Sequence, residues 1–188
     1  MIGNDIIDID FTRKYSDWKR RGFLAKVFTK SEQDYITQSI DPFHGVWRFW
    51  SMKESAYKLH LRSKQVRSFY PSKLSCKLLD DIKGMVFIEG ESYNTTTRKS
   101  KDYIFTFTTQ NKLLEVAHDI IMFDEKLPVD YYALIQNEIS LHLDCRNTEI
   151  NIIKNTSGIP QLYRNKIKLE ANISITHHGK YLAWSLAM

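Results

Sequence analysis

The sequence predicts an α+β protein of two units, each an antiparallel sheet with packed helices. Three observations carry that reading. Apolar residues recur with helical period, uninterrupted by Gly or Pro, from Val46 to about Leu61. After the Tyr70–Pro71 break come short segments rich in aromatic and β-branched residues, "KLSCKLL", "GMVFIEGESYN", "KDYIFTFTT" and "KLLEVAHDII". Turn-formers separate them, which is the texture of an antiparallel meander. A helical pattern then restarts at "LPVDYYALIQNEISLHLD", and strand-like segments close the chain. The predicted boundary falls between residues 126 and 127, giving a first lobe of residues 1–126 and a smaller second lobe of residues 127–188.

Taken in order, Ile2, Ile6, Ile7 and Ile9 alternate with polar residues and read as a strand entering a turn. "FTKSEQDYITQS" opens a helix, with Thr29 as cap and Glu32 completing a capping box, and Pro42 ends that element. "NTTTRKSKD" reads as a loop, because its three threonines and mixed charge leave nothing apolar to bury. Asp130 caps the later helix, with Pro128 near its beginning. "TEINIIK", a turn at Ser157–Gly158 and "PQLYR" follow. "NISITHHGKYLAWSLAM" reads as two strands joined at His178–Gly179.

A chain of 188 residues can bury roughly 70% of the surface that its unfolded form exposes. Hydrophobic content of 43% and charged content of 26% are those of an ordinary globular protein. Two cysteines, Cys76 and Cys145, make no disulfide framework or metal knuckle and suit a reducing compartment. Asp5 interrupts the N-terminal segment before an apolar stretch of signal length forms, and no run approaches a membrane span. The expected location is the cytoplasm. The formal charge of +5 is concentrated at residues 13–30 and again from Lys58 to Lys77. That suits an acidic protein, a polyphosphate ligand or nucleic acid. A nucleic-acid surface is disfavoured because the aromatics occupy helical and core-like positions rather than one sheet face.

Three stretches place ionisable groups against apolar surroundings. On the helix of residues 46–61, Trp47, Trp50, Glu54, Lys58 and Leu61 share one stripe, whereas Phe49, Met52, Ala56 and Leu59 form the core-facing one. An i,i+4 Glu–Lys pair is by itself ordinary surface support, but this one borders tryptophans. In "NDIIDID", Asp8 and Asp10 share a strand face and Asp5 takes the other. Carboxylates of this kind either face solvent or hold a hard cation such as magnesium together with waters and substrate phosphates. In "NISITHHG", Ile173, Ile175 and His177 share a face, so His177 is either a half-core histidine or a phosphate or base group; Ser174 and Thr176 take the other face. No phosphate-loop or dinucleotide fingerprint occurs.

Together these stretches resemble the 4'-phosphopantetheinyl transferase superfamily. "GND" followed by "IIDI" is similar to its metal-binding aspartate stretch. "FWSMKESAYK" is similar to its Trp–Lys–Glu–Lys helix, and "ISITHHGKYLA" to its Ser/Thr–His–x–Gly strand turn. "GIP" at 158–160 and "VFTKSE" add weaker matches. The resemblance implies the fold of that superfamily and transfer of 4'-phosphopantetheine from coenzyme A to a serine of an apo acyl or peptidyl carrier protein. It implies Mg2+ held by Asp5 and Glu54, catalysis by Glu54 and Lys58, and coenzyme contacts from Lys53, Lys58, Thr176 and His177.

Two departures from the superfamily pattern stand out. Ile7 occupies the position of a second acid, and Ile159 that of the lysine in Gly-Lys-Pro. They leave a second reading, a carrier-binding module of the same fold with impaired turnover. The order of motifs matches single-lobe members, yet the chain is longer than one lobe, which suggests two lobes in swapped order with the site between them in a monomer. Nucleic acid and membrane are not expected partners.

Overall fold

The computed structural model describes residues 1–64, 69–111, 115–124 and 128–188. Lys112, Leu113 and Leu114 of the fourth meander segment, and the lobe boundary at 126–127, lie outside them.

The first strand, β1 (Ile2–Asp8), is followed by three short helices, α1 (Ile9–Tyr15), α2 (Phe23–Val27) and α3 (Lys30–Gln38), and a long one, α4 (Pro42–Lys64). The expected capping box on α3 is formed. Glu32 N donates to Thr29 Oγ1, and Thr29 N donates to Glu32 Oε2. Pro42 follows the end of α3 but also opens α4, earlier than the Val46 start that periodicity suggests. The Asp41 side chain accepts from His44 N at 3.1 Å, so Asp41 caps α4 and Pro42 takes the first-turn position where its missing N–H costs nothing. β1 stops at Asp8, which caps α1 by accepting from Phe11 N. Asp10 is therefore an exposed helical residue and shares no strand face with Asp8.

The meander supplies β2 (Ser75–Leu78), β3 (Lys83–Ile88), β4 (Glu91–Lys99) and β5 (Tyr103–Thr109). With β1 they form an antiparallel sheet in the order β1-β5-β4-β3-β2. Residues 94–99, expected as loop, belong to β4. Threonine is β-branched and suits a half-buried sheet, and Thr95 and Thr97 continue the inward row of Tyr93. The Thr97 hydroxyl pairs with Thr106 of β5 at 3.1 Å, and Ser55 of α4 pairs with Thr108 of β5 at 2.6 Å, whereas Thr95 Oγ1 has no hydrogen-bond partner among the described residues. The predicted apolar stripe Phe49, Met52, Ala56 and Leu59 is buried in the main core with Val86, Ile88 and Ile104.

β6 (Val116–Met122), counted with the meander in the sequence reading, hydrogen-bonds elsewhere. It joins β10 (Asn172–His178) and β11 (Tyr181–Ala187) in a second sheet of order β10-β11-β6. Between β6 and β10 lie α5 (Tyr131–His142), capped by Asp130 as expected, and a small sheet of β7 (Ile150–Lys154), β8 (Pro160–Arg164) and β9 (Ile167–Lys168). Ile135 and Ile139 of α5 pack on Ile150, Leu162, Ile173, Leu182 and Trp184 to make a second core.

β1 is the element on which both halves meet. On one side Gly3 lies against α4, where a Cβ would collide with Ser55 O and Leu59 N, so glycine sets the close approach of strand and helix. On the other side Asn4 exchanges hydrogen bonds with Ser174 and Ser185, and Ile6 packs with Phe105, Tyr181 and Ala183. The chain is thus an α+β protein with antiparallel sheets and packed helices.

Candidate active site

Where α4, β1 and β10 come together, Asp5, Glu54, Lys58 and Thr176 gather. The Lys58 ammonium donates to Asn4 O at 2.9 Å and to Thr176 Oγ1 at 3.1 Å, and lies 3.5 Å from Asp5 Oδ1. Thr176 in turn donates to Asp5 Oδ1 at 3.4 Å. Asp5 is buried, and its second oxygen, Oδ2, has no hydrogen-bond partner. Ser51 Oγ lies beside it but is likewise without a partner of good geometry.

Electrostatics follow from that crowding. Burial pushes the Asp5 carboxyl above its ordinary range, with Lys58 pulling the other way. Glu54, one helical turn before Lys58, is raised to about 7 by desolvation first and by the neighbouring Asp5 charge second. Two carboxylates that resist ionising together, one with an orphaned buried oxygen, fit a hard divalent cation, since that charge would keep both ionised. Among the described residues no cluster of three or more His, Cys, Asp or Glu surrounds such a point. Ile7, at the position of a further acid, is buried in the main core, so water would complete the coordination sphere.

Lys58 and Thr176 also form one edge of a cleft of about 370 Å³. Asp5 and Glu54 lie behind that edge rather than in the lining. His177 faces the cleft and is exposed, so it is no core histidine; burial lowers its pKa, as do Lys58 and Lys154. Gly158, Ile159 and Pro160 form part of the wall, which brings "GIP" to the site.

Lys53 is not in this cleft. It is fully buried on another face of α4, donating to Glu32 Oε2 at 2.6 Å, Pro71 O at 2.8 Å and Val27 O at 3.0 Å. An ammonium has three N–H donors, and all are used, so none remains for a coenzyme. Its neighbour Glu54 turns the other way because successive helical residues point about 100° apart.

Sequence reasoning missed Arg62, Lys154, Tyr131 and Tyr132, which line the same cleft. Arg62 was findable, since it stands four residues beyond Lys58 on the same helix face. Its guanidinium donates to Ile173 O, and burial draws its pKa down to about 10, leaving it charged at neutral pH. His178, read as a turn residue, accepts from Asp8 N through Nδ1 at 3.0 Å. Asp8 also accepts from Lys180 N, and a Cβ on Gly179 would strike its carboxylate, so the β10–β11 turn is latched onto the end of β1.

A buried Asp5 near a half-buried Glu54, a lysine tying Asp5 to a neighbouring strand, and an adjoining cleft lined by cations form a constellation that suits a polyanionic ligand. The family description "4'-phosphopantetheinyl transferase superfamily" matches residues 1–108, more than half of the chain. The chain belongs to that superfamily, whose shared chemistry is phosphopantetheinyl transfer. The match includes Asp5, Glu54 and Lys58; Thr176 and His177 lie beyond it. A search of curated proteins gives no match.

Proposed function

We propose that this chain transfers 4'-phosphopantetheine from coenzyme A to a serine hydroxyl of an apo acyl or peptidyl carrier protein, releasing adenosine 3',5'-bisphosphate. The observation that carries the reading is the junction of Asp5, Glu54 and Lys58 with a cleft whose described lining includes three cations and no carboxylate. A pyrophosphate-bearing donor needs that sign of charge beside the groups that activate the acceptor.

In this reading the serine oxygen bonds to the phosphorus that bears the pantetheine arm, and the bond from that phosphorus to the bridging oxygen breaks. The serine proton passes to Glu54, directly or through one water. Lys58 favours the ionised form of Glu54, as a cation beside it would, and a base must be ionised to accept the proton. Lys58 neutralises the charge that develops on the leaving phosphate, and Thr176 and Asn4 O hold Lys58 in place. Asp5 and Glu54 would hold Mg2+, which when bound neutralises the pyrophosphate and acts as a Lewis acid. His177 contacts coenzyme phosphates, and the exposed basic residues around α1 and α2 offer an acidic carrier a docking face. Free thiols at Cys76 and Cys145 suit a cytoplasmic setting.

The test is the mass of an apo carrier after incubation with the protein, coenzyme A and Mg2+, which should rise by one phosphopantetheine. Asp5→Ala and Glu54→Ala, each folded by circular dichroism, should lower turnover at least about a hundredfold, or about 3 kcal/mol of transition-state stabilisation. Near-normal turnover in either variant rejects the assignment. A carrier that binds but gains no mass favours the impaired module suggested by Ile7 and Ile159.

A further inference from the structure

Two serines of α4 are treated differently by the fold. Ser55 Oγ donates to Met52 O at 3.0 Å and meets Thr108 Oγ1 at 2.6 Å, the ordinary way to satisfy a hydroxyl inside a helix. Ser51, one turn earlier, is fully buried, and its Oγ has no hydrogen-bond partner among the described residues. A buried hydroxyl left unpaired costs stability, and alanine would be the better helix former at that position. Beside it lies a second orphan, Asp5 Oδ2, whose sister oxygen is taken by Thr176.

Backbone geometry explains why these two meet. Gly3 of β1 packs on Ser55 O and Leu59 N of α4. Asp5 shares the Gly3 face of the strand and lies two residues, about 6.6 Å, further along it. Ser51 lies four residues, about 6 Å, back along the helix from Ser55. Strand and helix thus carry Asp5 and Ser51 to the same level, and the Ser51 hydroxyl acts on the Asp5 carboxyl. Glu54, three residues after Ser51, takes the same side of the helix and feels the Asp5 charge. Acids are short here, because Ile7 is in the main core and no cluster of three or more His, Cys, Asp or Glu forms among the described residues. Hard cations accept hydroxyl oxygen as a ligand. A neutral hydroxyl also adds that oxygen without a third negative charge in a buried place.

We propose that Ser51 Oγ is a third protein oxygen for the divalent cation that Asp5 and Glu54 would hold, with its proton directed to the Asp5 carboxylate. The inference rests on the cation reading of this site. Ser51 keeps its proton throughout and takes no part in the bond changes.

The test titrates the metal-free protein with Mn2+, following the free ion by electron paramagnetic resonance. The native chain should bind Mn2+, and Asp5→Ala should lose that binding. Ser51→Ala should weaken it by at least about tenfold. The Tm of metal-free Ser51→Ala should equal or exceed the native value, because an unpaired buried hydroxyl is gone. Ser51→Cys exchanges a hard oxygen for a soft sulfur. It should lose Mn2+ and gain Cd2+, with an ultraviolet sulfur-to-metal band beyond any that the native chain shows through Cys76 and Cys145. Native Mn2+ affinity in Ser51→Ala overturns the proposal and, with a lowered metal-free Tm, marks a packing hydroxyl only. Ser51→Cys without the added band, or a native chain that binds no Mn2+, overturns it as well. Transfer to an apo carrier is measured separately. Ser51-dependent Mn2+ binding in a chain that never adds mass to a carrier keeps the ligand and removes the transferase reading. Transfer by Ser51→Ala with an unaltered dependence on Mn2+ removes the ligand and keeps the transferase.

Discussion

Burial makes both Asp5 and Glu54 harder to ionise, the Asp5 charge adds to the effect at Glu54, and that has a measurable consequence for stability. Glu54 titrates near 7 in the folded chain and near 4.5 as an ordinary glutamate. A carboxyl whose folded pKa is raised binds its proton more tightly when folded. Its stabilising contribution is complete below about 4.5 and is lost as pH rises through about 7, and amounts to about 3 kcal/mol. Asp5 is raised as well and acts in the same direction. The Tm of the metal-free protein should therefore fall between pH 5 and pH 8. Glu54→Gln should flatten that slope, and saturating Mg2+ should flatten it too, by making the ionised pair favourable. A Tm independent of pH across this window would mean that the two carboxyls do not share the burden of burial as described.

At the scale of elements, the Lys53–Glu32 pair is a clamp. The Lys53 side chain leaves α4, reaches the end of α2 at Val27, the first turn of α3 at Glu32, and the Pro71 carbonyl ahead of β2. Glu32 meanwhile caps α3 and accepts from Cys76 N of β2 at 2.7 Å. Both side chains are almost wholly removed from solvent. A buried pair that loses one partner leaves an unpaired charge, which costs about 3–5 kcal/mol. Lys53→Ala should lower the urea midpoint accordingly and leave the KM for coenzyme A of the folded protein unchanged. A raised KM with native stability would instead return Lys53 to the ligand. The capping box was legible in the spacing of Thr29 and Glu32, and so was the start of the α5 helix at Asp130. That Glu32 also meets Lys53 was not legible, because the partners are 21 residues apart on different elements.

For the whole molecule, the site is assembled within one chain. β1 and α4 bring Asp5, Glu54 and Lys58, and β10 brings Thr176 and His177 onto them through the contact of β1 with the second sheet. We expect a monomer, for no second copy is needed to complete this constellation. Light scattering on the eluting protein should give a mass near 22.2 kDa. A mass about three times larger would mean that the cleft is shared between subunits.

The α+β class, the helix that carries Glu54 and Lys58, and the core stripe of Phe49, Met52, Ala56 and Leu59 were legible in the sequence, whereas Asp5 was singled out among Asp5, Asp8 and Asp10 only by the resemblance to the superfamily. Those are local matters: helical period, alternation and short motifs are written in consecutive residues. Tertiary structure decided the rest. It moved β6 into the second sheet, turned Thr95 and Thr97 of β4 inward with Thr97 on the Thr106 hydroxyl, and sent Lys53 into the core while its neighbour Glu54 lay near Asp5. It also drew Arg62 and Lys154 into the cleft with Lys58. Which strands pair, and where a long charged side chain ends, depend on groups far apart in the chain. A period of two or 3.6 residues carries no information about them.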